Sequence, residues 1–325
     1  MRSPSSSRVL LGFFLGAMSA SLVAASCGAR SELLIEAPDA SVDAAIDRNV
    51  VDVRDAQDVV DVQDTLPPID VKPQSDVNKQ DCPTGETYIY LITTSYELYA
   101  FYPPDNRFIF IGKIACPGQG TATPFSMAVD RKGVAYIVYN DGRLFRVSTL
   151  TAACVATTYA PNQLEATTFG MGFSSEQGGA TENLYIASDN ATANDAGLHN
   201  LLGKIDTTAY KLSKVGDLSS TVGRAELTGT GAGGLFAFYD NGNDAYIGQI
   251  DKTNAKLSGE SKLPGVQMGQ GWAFAFWGGD FYLFTAPNGQ SLVTRFRPSD
   301  NSVVEVARLS SIIVGAGVST CAPQQ

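Results

Sequence analysis

Histidine is almost absent from this chain: His199 is the only one in 325 residues. A multi-histidine metal site is therefore excluded, and a Ser-His-Asp triad would hang on a single ring. That ring lies in SDNATANDAGLHN, a polar stretch in which a surface imidazole is the ordinary outcome. Basic charge is also scarce. Lys and Arg total 23 against 33 Asp and Glu, a net charge of −10. Nucleic-acid binding needs a basic stripe to displace counterions, so no nucleic-acid partner is expected. No phosphate-cradling loop, nucleophile elbow or zinc motif is present.

What the chain does have is divided unevenly along its length. Arg2 and Arg8 precede an apolar run from Val9 to Ala25 that ends in Ser26-Cys27-Gly28, the layout of an export signal. The run is at the short limit for a spanning helix and has no basic stop-transfer flank, so cleavage is expected rather than permanent insertion. Ala25, Ser26 and Cys27 resemble the lipobox of bacterial lipoproteins, although Ala24 stands where that family usually carries Leu. The resemblance implies that residues 1–27 are a lipoprotein-type signal, that Cys27 is lipidated, and that the membrane is a partner through this anchor. Each buried methylene of an acyl chain contributes about 0.8 kcal/mol, so two or three chains hold a protein on a bilayer. Gly28 replaces the Asp that retains some lipoproteins at the inner membrane, which points to the outer membrane or cell surface.

Residues 28–81 carry 13 acids against 5 bases. Asp52, Asp55, Asp58, Asp61 and Asp64 recur at every third position, a period that suits neither a strand nor a helix. Low hydrophobicity with net charge predicts a disordered tether, spanning on the order of 40 Å as a flexible coil. Carboxylate oxygens suit calcium, but the segment lacks a turn-forming Gly within a fixed acidic loop. A solvated stalk is the expectation.

From Cys82 onward the chain repeats. The stretch from Pro124 to Ala160 reads as four short strands: Phe125 to Asp130, Val134 to Tyr139, Arg143 to Ser148 and Cys154 to Tyr159. Asp141-Gly142, flanked by aromatic and β-branched residues, is a hairpin signal. Second-strand aromatics recur at Tyr90, Tyr136, Tyr185, Phe236 and Tyr282, at spacings of 46, 49, 51 and 46. Third strands begin at Leu98, Leu144, Leu202, Ile247 and Val293, each with an apolar residue three positions on. An odd offset puts the two on opposite faces of a strand, which suits a sheet buried on both sides.

First strands read FSMAVD, FGMGFS, ELTGTG, WAFAFW and IIVGAGVS, rich in Gly, Ala and Ser, as a narrow propeller axis demands. The last of these has no strands after it, while Thr87 to Ala115 lacks a first strand. The expected fold is thus all-β, a five-bladed β-propeller over 82–325 with its ring closed by the C-terminal strand. The PFSMAVDRKGVAYIV stretch is similar to NHL and SMP-30-like repeats. A pair of immunoglobulin-like sandwiches is the rival, and the regular spacing near 48 opposes it.

Ring closure brings Cys321 and Cys82 to the same hairpin end of one blade, so this pair is expected to form a disulfide; Cys116 and Cys154 then pair by elimination. The connections between blades open on the face where propeller ligands enter. They carry Glu165, Glu226, Gln119, Gln267 and Gln270, with Phe125, Phe169 and Trp272 at the starts of first strands. Aromatic faces beside amides and carboxylates suit a sugar or small polar ligand. Glu165, Glu226, Gln270, Trp272, Phe125, Phe169 and His199 are the candidate ligand-binding residues. No catalytic set and no cofactor is expected, calcium being the one ion that the acids would suit. The first functional reading is an envelope-anchored module that binds a glycan, a small molecule or a protein. The alternative is a hydrolase or lyase that uses Glu165 and Glu226 on a carbohydrate-like or lactone substrate.

Overall fold

The computed structural model describes Cys82 and residues 87–176, 179–188, 200–219, 222–242 and 244–325. The signal-like segment with Cys27, the acidic segment 28–81 and His199 lie outside the described residues. All described residues belong to one unit, Pro68–Gln325.

Twenty strands are formed among them, numbered here in chain order. Blade 1 contributes β1 (Ile89–Thr93), β2 (Glu97–Tyr102) and β3 (Arg107–Lys113). Blade 2 is β4 (Pro124–Val129), β5 (Val134–Tyr139), β6 (Leu144–Ser148) and β7 (Cys154–Ala156). Blade 3 is β8 (Phe169–Ser175), β9 (Glu182–Ser188), β10 (Leu201–Asp206) and β11 (Lys211–Asp217). Blade 4 is β12 (Ala225–Gly229), β13 (Leu235–Asp240), β14 (Ala245–Ile250) and β15 (Leu257–Leu263). Blade 5 is β16 (Trp272–Trp277), β17 (Asp280–Thr285), β18 (Ser291–Arg297) and β19 (Ser302–Leu309), and β20 (Ile313–Val318) follows. Each blade is a four-stranded antiparallel meander, and β20 pairs with β1 to give the order β20-β1-β2-β3. First strands pack on one another in the cycle β4, β8, β12, β16, β20 and back to β4. The protein is a five-bladed β-propeller.

The odd offset in the third strands has a direct structural meaning. Leu98 faces blade 2 while Phe101 faces blade 5, and Leu144 faces blade 3 while Val147 faces blade 1. Leu202 and Ile205, Ile247 and Ile250, and Val293 and Phe296 divide between two interfaces in the same way. The hydrophobic interior is accordingly five clusters, one at each blade boundary, rather than one central core.

Small residues in first strands have an equally direct cause. A Cβ added at Gly170 on β8 would lie 2.0 Å from the Ala225 carbonyl oxygen of β12, and one at Gly229 would lie 2.1 Å from that of Phe173. Backbones meet there with no room for a side chain. In the hairpin of blade 2, the Gly142 N–H donates to the Tyr139 carbonyl at 2.9 Å and Gly142 takes φ of 82°, the left-handed position that follows a type I turn in a three-residue loop.

The template blade departs from its expected limits at the outer edge. Its fourth strand ends at Ala156 instead of Tyr159 because the Thr157 hydroxyl donates to the Leu144 carbonyl at 2.6 Å and the chain then turns inward. Tyr159 is buried, with its ring 6.0 Å from that of Phe169 in the boundary between blades 2 and 3.

Both disulfides are formed. Cys82 and Cys321 have Cα atoms 5.7 Å apart and a sequence separation of 239; for Cys116 and Cys154 the values are 5.0 Å and 38. The chain-entropy relation gives about 5 kcal/mol for the first loop and about 4 kcal/mol for the second.

Candidate functional site

The starts of the first strands meet at one end of the axis. Phe125 is the second residue of β4, Trp272 opens β16, and Arg224 immediately precedes β12. The Arg224 guanidinium carbon lies 5.0 Å from the Phe125 ring centroid and 4.4 Å from that of Trp272. Both distances are within cation–π range. Blade 2, which supplies Phe125, neighbours neither blade 4 nor blade 5, so the three residues meet across the axis. Arg224 is exposed, and both rings are half-buried. The Trp272 indole N–H is buried without an acceptor among the described residues.

Glu226 lies two positions beyond Arg224 on the extended chain and hence on the same side of it. It is 5% exposed, and its Oε2 accepts a 2.6 Å hydrogen bond from the Ser126 hydroxyl of blade 2. Ser126 Oγ in turn accepts from the Met171 N–H of blade 3 at 3.2 Å. A carboxylate, a hydroxyl and a backbone amide from three blades thus form a buried polar floor beneath the rings. A charge-assisted bond of that length holds the carboxylate in place.

The remaining candidates stand elsewhere. Phe169 is fully buried between Tyr159 and the rest of the blade 2/3 boundary, so its ring packs in the interior. Glu165 is exposed in the connection between β7 and β8, with φ of 63°. The two glutamates sit in unlike surroundings, one exposed on a loop and the other buried on the axis. Gln270 is exposed, and its backbone N–H donates to the Ala286 carbonyl at 2.9 Å. Gln119 is occupied structurally: its Oε1 accepts from the Cys116 N–H at 2.7 Å and from the Tyr139 hydroxyl at 3.3 Å. His199 lies outside the described residues. Among the described residues no group of three or more His, Cys, Asp or Glu side chains is placed to hold a metal ion. Nor, among them, is any helix long and apolar enough to cross a membrane.

Arg224 and Ser126 were not among the sequence candidates. Their only signal is position: a charge immediately before one first strand, and a hydroxyl within another.

The opposite end of the axis, where first strands finish, is closed. Arg131, 4% exposed, donates from Nη1 to Ser175 Oγ and Thr320 Oγ1, each at 3.2 Å, and Nη2 lies 3.5 Å from Cys82 Sγ. Glu182 accepts from the Arg131 backbone N–H and from the Thr320 hydroxyl, both at 2.7 Å. Burial pushes its carboxyl up to about 7. Lys252 donates to the Ser175 carbonyl at 2.7 Å and to Ser174 Oγ at 3.2 Å.

No family model matches the chain, and no curated protein matches its sequence. Among solved structures it is similar to a chain of the nidogen/laminin complex, at 11% identity and TM-score 0.46, over 73% of this chain and 99% of that one. It is also similar to TolB from Acinetobacter baumannii, at 12% identity and TM-score 0.40, over 69% of this chain and 53% of that one. The blade count rests on the strand pairing itself.

Proposed function

We propose that this chain is a binding or docking module of the cell envelope, an exported propeller lipidated at Cys27 and carried on an acidic tether. The mouth of its axis is the ligand site. The observation that carries this reading is the exposed Arg224 guanidinium set between the half-buried faces of Phe125 and Trp272. Polar and aromatic groups that converge from non-neighbouring blades, over a buried hydrogen-bonded floor, are the usual makings of a recognition site. Export draws support from the two disulfides, which persist in oxidising compartments.

Screening the purified chain on glycan and peptide arrays tests the site. The expected result is a ligand whose retention is lost in Trp272→Leu, which keeps apolar bulk but removes the ring face. Ligands retained equally by that variant would place recognition elsewhere. For the anchor, Cys27→Ala is expected to abolish incorporation of a labelled fatty acid and release the protein from membranes. Undiminished membrane retention would rule the lipid anchor out.

A further inference from the structure

We propose that the axial mouth is a receptor for guanidinium groups, occupied in the free protein by its own Arg224, and that the ligand is an arginine side chain presented by a partner peptide. This rests on reading the mouth as the ligand site and names the chemistry that the site takes.

Three groups at the mouth attract positive charge. The faces of Phe125 and Trp272 carry the negative pole of the ring quadrupole, and Glu226 places a carboxylate beneath them. The folded region is itself acidic, so its field draws cations towards the surface. The occupant seen in the structure shows that the space fits. Arg224 is an exposed residue at the end of a connection, yet its guanidinium lies 4.4 Å and 5.0 Å from two ring centroids supplied by two other blades. A planar guanidinium slides between two aromatic faces in a way that a compact, strongly hydrated ammonium does not. The occupant is itself an arginine carried on a peptide backbone, the form in which a partner peptide would present the group.

Self-occupancy has a thermodynamic consequence. A ligand must displace Arg224, so its apparent affinity is reduced by the fraction of time that the mouth stands open. Removing Arg224 then strengthens binding, whereas a residue that contacted the ligand directly would weaken it when removed.

Calorimetric titration of the full chain with a blocked glycine-arginine-glycine peptide tests this. Arg224→Ala is expected to bind the peptide roughly tenfold more tightly than the unaltered protein. Trp272→Leu or Phe125→Leu placed in the Arg224→Ala background is expected to remove the gain, and replacing arginine by neutral citrulline in the peptide is expected to do the same. Retention of both disulfides and of the unfolding midpoint checks that each variant is folded. Arg224→Ala binding no tighter than the unaltered protein, or citrulline binding as well as arginine, would overturn the proposal. An array ligand without a cation that still needs Trp272 would leave the mouth as the ligand site while refuting its preference for guanidinium.

Discussion

Two arginines stand at opposite ends of the same axis, and the protein treats them in opposite ways. Arg131 is sealed into a network that joins blade 2 to blade 3 and to the chain end beside the ring-closing disulfide. Arg224 is exposed, and aromatic faces hold it. A buried guanidinium persists only where hydrogen bonds offset its lost hydration, so the first arginine belongs to the architecture. The second keeps its exposure to solvent beside the rings, so its side chain can leave them at a smaller cost in hydration than Arg131 would meet.

Substitution tests that contrast directly. Arg131→Ala strands the Ser175 hydroxyl in the interior, takes one donor from Thr320 Oγ1 and should cost about 3 kcal/mol, lowering the midpoint of thermal unfolding by roughly 6 to 12 °C for a unit of this size. Arg224→Ala should change stability by less than about 1 kcal/mol. Thermal unfolding of the two variants side by side decides the matter, and equal losses would erase the distinction between the two ends.

A smaller effect is expected from Glu182. Its folded-state carboxyl titrates near 7 because burial disfavours the charge, above the range it has in the unfolded chain. Its contribution to stability is therefore fully present below the unfolded value and is lost as pH rises through about 7. Between pH 5 and 8 the loss is on the order of 2 kcal/mol. Glu182→Gln should flatten that part of the pH profile, leaving a variant that matches the parent at pH 5 and exceeds it at pH 8. Parallel pH profiles for the two proteins would show that Glu182 titrates normally and that this end is less tightly sealed than its geometry implies.

The architecture could be read from the chain because propeller constraints are local and repeated. Aromatic residues every 46 to 51 positions marked the second strands, and the odd apolar offset in the third strands announced two buried faces. The closing strand and its disulfide followed from counting strands. The site was harder to read because it is made by convergence of residues that the sequence does not relate. Phe125, Arg224 and Trp272 are far apart in the chain and come from blades 2, 4 and 5. Phe169, which opens β8 as Trp272 opens β16, is fully buried in the boundary between blades 2 and 3, against which Phe125 is only partly buried. The beginning of a first strand thus offers a ring to the mouth in two blades and only to the interior in a third. Side-chain direction around a ring depends on neighbouring blades, which no single repeat encodes.

Closure by β20 also sets an order of events during biosynthesis. The partner of one edge of β1 lies more than two hundred residues downstream, so that edge stays unpaired until β20 has been made. Blades 2 to 5 are complete in sequence and can assemble as they emerge, but the ring can shut only once β20 has emerged as well. Cys82, among the first residues of the folded unit to appear, waits for Cys321, four from the end. Loss of residues 313–321 would remove both the strand and the bond, leaving an open arc with two unpaired rims and a product fit for proteolysis.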